Sequence, residues 1–295
     1  MQGLTRKIVG DRWDGAFVAR LRRYAEFSAS EINDLRGLLE VEHSVRKRRD
    51  VVVEGGSHAR LSFVKNGVAA RYKVLHNGKR QIVNIIVPGD VIGLPGSFLD
   101  TTSFAVVALT DMKLEVCALD DYVALAHRRP KFGLALSWLA VHEATTYAEH
   151  IVDIGRRTAL ERVAHFLLEI HDRLAAVGRA AATEFDLPVS QEIMSDALGL
   201  SVPHINRMLA ELRESGMIAL AGRHVSFADI KRLQQLAHFE PVRLTRIPAP
   251  SQPSTIIVPK RPADRTTVDR PAVDRPAVAR PAVARHVGGR AALAN

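Results

Sequence analysis

Between residues 51 and 119, six short apolar segments alternate with glycine turns, and this punctuation limits the fold more than any other feature of the chain. The segments are residues 51–53, 61–64, 68–75, 81–87, 104–109 and 114–119. Gly55-Gly56, Asn66-Gly67, Asn77-Gly78 and Pro88-Gly89-Asp90 stand between them. Asn-Gly accepts the positive φ of a tight hairpin at low cost, so alternation on either side of it reads as paired strands. Several short strands at this spacing predict a small antiparallel barrel or roll.

Helical periodicity flanks that region. In residues 14–42, Phe17, Leu21 and Tyr24 share one face, and Ser28 and Ser30 offer caps before EINDLRGLLE. Asp120 and Asp121 charge the start of a helix through DYVALAHRR. After Pro130 an uninterrupted stretch runs to about Val152, and Asp153-Ile154-Gly155 breaks it before an amphipathic helix over 156–176. In the long stretch Leu134, Trp138, Val141, Thr145, Ala148 and Val152 recur at coiled-coil spacing. The stripe faces either the roll or a second copy of the chain. A helix of about 30 Å outreaches a small roll, which favours a homodimer seam. His142 and His150 read as ordinary surface residues of this helix, and Cys117 as a core residue.

Residues 187–218, LPVSQEIMSDALGLSVPHINRMLAELRESGMI, carry the functional signal. Ser190 is placed to cap a short helix whose Met194, Ala197 and Leu198 face inward, and Gly199 supplies a tight turn. Ser201 is placed to cap a second helix, with Pro203 in the first turn, where a missing N–H costs nothing. Ile205, Met208, Leu209 and Leu212 make the buried face, and His204, Asn206, Arg207 and Arg213 lie elsewhere. Two short helices around a glycine turn are the helix-turn-helix arrangement, and residues 221–227 follow as a β-hairpin wing.

Charge narrows the reading of the remainder. The net charge is +9, but residues 241–295 hold ten Lys+Arg against three Asp, leaving 31 against 29 in residues 1–240. The basic character therefore belongs to the tail and says nothing about whether the folded part binds nucleic acid. That tail holds nine of the 14 prolines and a five-residue repeat from Arg261, so a disordered, partly polyproline II segment is expected. It reads either as a solvated extension or as a nonspecific DNA-binding arm. Arg46-Lys47-Arg48-Arg49 reads as a solvated strand edge or loop, with an auxiliary nucleic-acid patch as the alternative.

The lone Cys117 excludes an intrachain disulfide and any all-cysteine metal or iron–sulfur site within one chain. No apolar run reaches the length of a spanning helix, and the first 15 residues lack the pattern of a secretory signal. A cytoplasmic protein without membrane contact is expected. No paired acid and base, glycine-rich nucleotide loop or metal-ligand spacing points to an enzyme.

Over about residues 15–237 the chain resembles the Crp/Fnr family of bacterial transcription regulators. The matching motifs are PGDVIG at 88–93, GRRTALERVAHFLLE at 155–169, and the helix-turn-helix segment. The resemblance implies an α+β chain in four parts. An N-terminal helix and a sensory, cyclic-nucleotide-binding-like antiparallel β-roll would occupy 14–129, a dimerisation helix 130–154, a winged helix-turn-helix 155–239 and a disordered tail 240–295. Its implied partners are double-stranded DNA, a second copy of the chain and RNA polymerase.

The implied DNA-contact residues are Ser190, Gln191, Ser201, Val202, Pro203, His204, Asn206, Arg207 and, in the wing, Arg223. Arg207 matches the family arginine that reads guanine. Many relatives carry an Arg-Glu pair where this chain has Val202 and Pro203, and residues 201–224 sum to only +1, a weak electrostatic footprint for a DNA reader. The implied ligand pocket comprises Gly93, Leu94, Pro95, Gly96 and Ser97. Leu94 stands where nucleotide-binding members have a ribose-binding glutamate, and no Arg or Lys occurs between Gly89 and Thr110 to pair with a phosphate. No cofactor is predicted and the effector is unknown. The rival reading is a ligand-binding or protein-interaction module whose helix-turn-helix is only structural.

Overall fold

A computed structural model describes residues 15–39, 42–57, 59–94 and 96–242. Pro95 and the Pro/Arg repeat lie outside the described residues. Two short helices come first, α1 (Ala16–Leu21) and α2 (Ala29–Leu38). Ser28 separates them by starting α2 with a reciprocal capping box: the Glu31 N–H donates to Ser28 Oγ at 3.2 Å, and the Ser28 N–H donates to Glu31 Oε2 at 2.8 Å. Ser30 falls inside the helix and caps nothing.

Eight strands follow: β1 (His43–Val45), β2 (Asp50–Val52), β3 (Arg60–Asn66), β4 (Ala69–Val74), β5 (Arg80–Ile86), β6 (Val91–Ile92), β7 (Ala105–Ala108) and β8 (Met112–Ala118). They form two antiparallel four-stranded sheets, ordered β1-β8-β3-β6 and β2-β7-β4-β5. Val64, Ala69, Ile86, Ile92, Val106 and Leu114 belong to the core cluster of this roll. Asn66-Gly67 turns β3 into β4, and Asn77-Gly78 turns β4 into β5, as the alternation predicts. Cys117 is buried in β8. β1 and β6 are not among the segments read from the sequence: β1, His-Ser-Val, is mostly exposed and lacks an apolar run, and β6 has only two residues.

α3 (Leu119–Arg128) leads to α4 (Pro130–Gly155), whose 26 residues span about 39 Å. One face of α4 is buried through Phe132, Ala135, Leu139 and Thr146. On the other, Leu134, Val141 and Val152 are 53%, 52% and 42% exposed, with Ile151 and Ile154 exposed beside them. The predicted seam needs correction at Trp138, which is half-buried and packs edge-on against Tyr24. Two histidines also depart from expectation. His142 meets Arg20 at 3.3 Å, and burial, reinforced by Arg20 and Arg173, pushes its pKa down to about 3. His150 is half-buried, and burial lowers its pKa too. Both lie on a helix flank that only the tertiary packing covers.

α4 ends at Gly155, within the Asp153-Ile154-Gly155 break, and the buried Asp153 carboxylate is paired with Arg157 at 2.8 Å and lies 3.1 Å from His165 Nδ1. Thr158 and Glu161 then form a second capping box that opens α5 (Ala159–Ala175). Beyond it come β9 (Glu184–Asp186), α6 (Gln191–Leu198), α7 (Val202–Glu214), β10 (Ile218–Ala221), β11 (His224–Phe227) and α8 (Ile230–Ala237). β9 joins the expected hairpin as a third strand, in the order β10-β11-β9. The core of this part is continuous with the roll: Ile82 and Ile85 of β5 cluster with Leu167, Met194 and Leu198.

Candidate DNA interface

Local chemistry positions the two helices. Gly199 ends α6 in the left-handed region at φ 64°, the conformation a side chain would oppose, and lets the chain reverse at once into α7. The Ser195 hydroxyl donates to the Leu200 carbonyl across the turn. Ile205, Met208, Leu209 and Leu212 bury one face of α7 against α5 and α6. That packing fixes which side chains point outward. Pro203, Asn206 and Arg207 are exposed, and Val202 and His204 are half-buried. Among the described residues no hydrogen bond or ion pair occupies the Arg207 guanidinium.

The two serines depart from expectation in one respect. Ser190 and Ser201 occupy the N-cap positions with extended backbones, yet neither side chain makes a capping bond. Ser190 engages Glu192 instead, and its hydrogen bond holds the Glu192 carboxyl below the ordinary range. The first N–H groups of α7 are left without a side-chain cap, which suits an oxyanion, whereas in the first turn of α6 the Glu192 carboxylate accepts from its own backbone N–H. Gln191 begins α6 and is half-buried. In the wing, Arg223 Nε donates to the Leu187 carbonyl at 2.9 Å, so this residue braces the loop before α6 as well as facing solvent.

Part of the basic run at 46–49, for which an auxiliary nucleic-acid patch is the alternative reading, lies beside α6. Lys47 and Arg48, in the exposed basic turn after β1, line a cavity of about 270 Å³ with Ser190 and Arg223. Lys47 and Arg48 thus add positive charge beside Ser190, which stands about 140 residues later in the chain.

The roll has its own pocket, and this one is nearly filled. Gly93, Leu94 and Gly96 line it, Ser97 is buried with its hydroxyl donating to the Arg60 carbonyl at 2.8 Å, and Pro95 falls outside the described residues. Gly93 sits at φ 123°, where a Cβ would come within 2.5 Å of the Arg60 carbonyl oxygen. The space measures only about 60 Å³. Arg71 of β4 enters it from outside the motif, a cation that the linear pattern did not reveal. Its guanidinium pairs with Glu143 and Tyr147 of α4 and donates to the Leu94 carbonyl at 2.7 Å. Burial opposes the Arg71 charge, but Glu143 and Tyr147 beside it hold its pKa above the usual arginine value.

A second buried ionic group is centred on Asp90 of the PGDVIG turn. Arg20 of α1 and Arg173 of α5 both pair with its carboxylate, the latter at 2.6 Å, and the Val87 N–H donates to it at 2.8 Å. Burial opposes the charge, yet the two arginines keep the carboxyl below its ordinary pKa. Asp90 therefore ties the first helix, the roll and the helix-turn-helix part together.

A β-roll joined by a long helix to a winged helix-turn-helix defines a class of regulatory DNA-binding protein. Two family profiles match the chain, a cyclic nucleotide-binding domain at residues 43–128 and a Crp-like helix-turn-helix domain at 161–236. The nitrogen fixation regulation protein FixK of Bradyrhizobium diazoefficiens is 32% identical over 174 residues, covering 59% of this chain and 72% of FixK. The transcriptional activator protein FnrL of Cereibacter sphaeroides is 29% identical over 223 residues, covering 74% of this chain and 89% of FnrL. The solved structure of FixK2 from Bradyrhizobium japonicum superposes with a TM-score of 0.61 at 30% identity, covering 66% of this chain and 96% of that one. The chain belongs to the Crp/Fnr family of transcription regulators.

Proposed function

We propose that this protein acts in the cytoplasm as a homodimer that reads a palindromic DNA site and recruits RNA polymerase, without using a cyclic nucleotide bound in the roll. The observation that carries the DNA reading is the outward face of α7, where Arg207 stands exposed on a helix held by four buried residues. A guanidinium so placed donates two hydrogen bonds to guanine, and Asn206 and His204 flank it. The uncapped N–H groups of α7, with Lys47 and Arg48, suit the phosphates that set register. Leu134, Val141, Ile151 and Val152 form the dimer seam. Two copies joined there offer recognition helices to successive major grooves, about 34 Å apart.

The case against cyclic nucleotides rests on space and charge. A cavity of about 60 Å³ holds roughly two waters, whereas ligand pockets run to about 300 Å³ or more. Arg71, the one cation among the described residues that reaches it, is already paired with Glu143. A role in activation draws on the likeness to FnrL, named a transcriptional activator, and no catalytic role is assigned. Selecting bound duplexes from a random pool tests the DNA reading. A recovered inverted repeat is the expected result, and recovery of unrelated sequences would support the structural helix-turn-helix instead.

A further inference from the structure

We propose that Val202 and Pro203 make the start of α7 a reader of the C5-methyl group of thymine, close to the guanine taken by Arg207. The inference rests on the DNA reading above and specifies what the helix selects. Val202 and Pro203 are the first two residues of α7, and its first turn carries no acidic side chain. Pro203 is exposed and Val202 half-buried, while Ile205, Met208, Leu209 and Leu212 hold the helix in the core. Residues four apart are neighbours on a helix surface, so Pro203 stands beside the exposed Arg207 and Val202 beside the exposed Asn206. The N-terminal residues of a recognition helix are the ones that meet base edges.

The chemistry of this surface selects its base. Neither Val202 nor Pro203 has a polar side-chain atom, and Pro203 also lacks a backbone N–H. Such a surface cannot donate to N7 or O6 of guanine, nor accept from the amino group of adenine or cytosine. The one major-groove feature that it matches is the methyl of thymine. Over cytosine it covers the N4 amino group without offering an acceptor, so rejection adds to contact. Four helical residues rise about 6 Å and successive base pairs about 3.4 Å, which puts the methyl within about two base pairs of the Arg207 guanine. Cytosine methylated at C5 presents the same group. The reading therefore extends to modified DNA, where methylation of a cytosine at this position strengthens binding.

Competition binding on the full chain is the test. The duplex recovered by selection is rebuilt with uracil for each thymine in turn, and with cytosine or 5-methylcytosine at the same positions. Uracil differs from thymine only by the methyl. Burying one methyl corresponds to about fourfold in affinity, so one thymine in each half-site should lose about fourfold as uracil, and both together about fifteenfold. At that position 5-methylcytosine should bind about fourfold more tightly than cytosine. Val202→Ala or Pro203→Ala should cancel the uracil penalty, whereas Arg207→Ala, weaker overall, should keep it. A purely structural role for the pair would instead lower affinity for the thymine and uracil duplexes alike. Folding is checked by circular dichroism, and if both variants fail to fold, the base substitutions with the parent decide alone. Selection that enriches no site would overturn the DNA reading and this inference with it. An enriched site on which uracil costs nothing, or costs the same in both folded variants, would overturn this inference and leave the DNA reading standing.

Discussion

Two arginines, Arg71 in the roll and Arg207 on the recognition helix, show how the same side chain serves opposite ends. Arg71 is buried, its charge met by Glu143 and its remaining donors by Tyr147 and a carbonyl. Arg207 is exposed and uncommitted among the described residues. A buried guanidinium with a carboxylate partner has its hydrogen bonds spent inside the fold, whereas one held outward by a buried helix face keeps them for a base. In this chain Arg71 ties β4 to α4 at the edge of the roll's pocket, while Arg207 faces solvent.

The comparison breaks most readily in the buried half. Asp90→Ala removes the carboxylate shared by Arg20 and Arg173, costing Arg20 its buried ion pair and leaving Arg173 only Glu169, so a loss of about 3–5 kcal/mol in urea unfolding is expected. Replacing Arg71 and Glu143 together, as Arg71→Met with Glu143→Leu, should cost far less, because no charge is stranded. If the single and double changes destabilise alike, the two clusters are not ionic ties of the kind described.

The next largest effect concerns the seam. Val141→Asp places a charge in the middle of the exposed α4 stripe, and burying it unpaired in a dimer costs several kcal/mol, roughly 3–5. Sedimentation should show monomer for the variant and dimer for the parent. A parent that sediments as a monomer would refute the seam.

The smallest expected effect lies on the wing. Hydrogen bonding to Asp186 at 3.0 Å, with Glu184 beside it, raises the His224 pKa. A histidine whose folded pKa is raised adds stability that is full below about pH 6.5 and is lost as pH rises through the higher folded value. His224→Gln should remove that slope. The side chain is solvent-exposed and the change is accordingly slight, near the limit of a thermal melt. A steeper slope in the variant would reverse the assignment.

Legibility in the sequence follows the reach of the interactions. The helix-turn-helix was readable because its signals are local: a glycine turn, a proline in the first turn, and apolar residues three and four apart. The same holds for the two Asn-Gly hairpins. The second capping box was equally available as Thr158-x-x-Glu161. The ionic clusters were not available at all, since Arg20, Arg71 and Arg173 find their carboxylates 70, 72 and 83 residues away. Nothing in the linear pattern marks such pairs. Trp138 and His142 were misplaced for a related reason. Helical spacing identifies a stripe but not its width, and the Arg20 that meets His142 lies 122 residues away.

The central claim is that sequence discrimination resides in α7 while nonspecific affinity comes from distributed positive charge. Binding of the parent, Arg207→Ala and a chain ending at residue 240 to specific and scrambled duplexes over a salt series tests it most directly. Arg207→Ala should weaken specific binding by about 1–3 kcal/mol and scrambled binding far less. Removing the net +7 of residues 241–295 should lower both together and flatten the salt slope by roughly 0.9 per lost phosphate contact, with preference intact. If shortening the chain erased the preference while Arg207→Ala preserved it, the recognition helix would not be the reader.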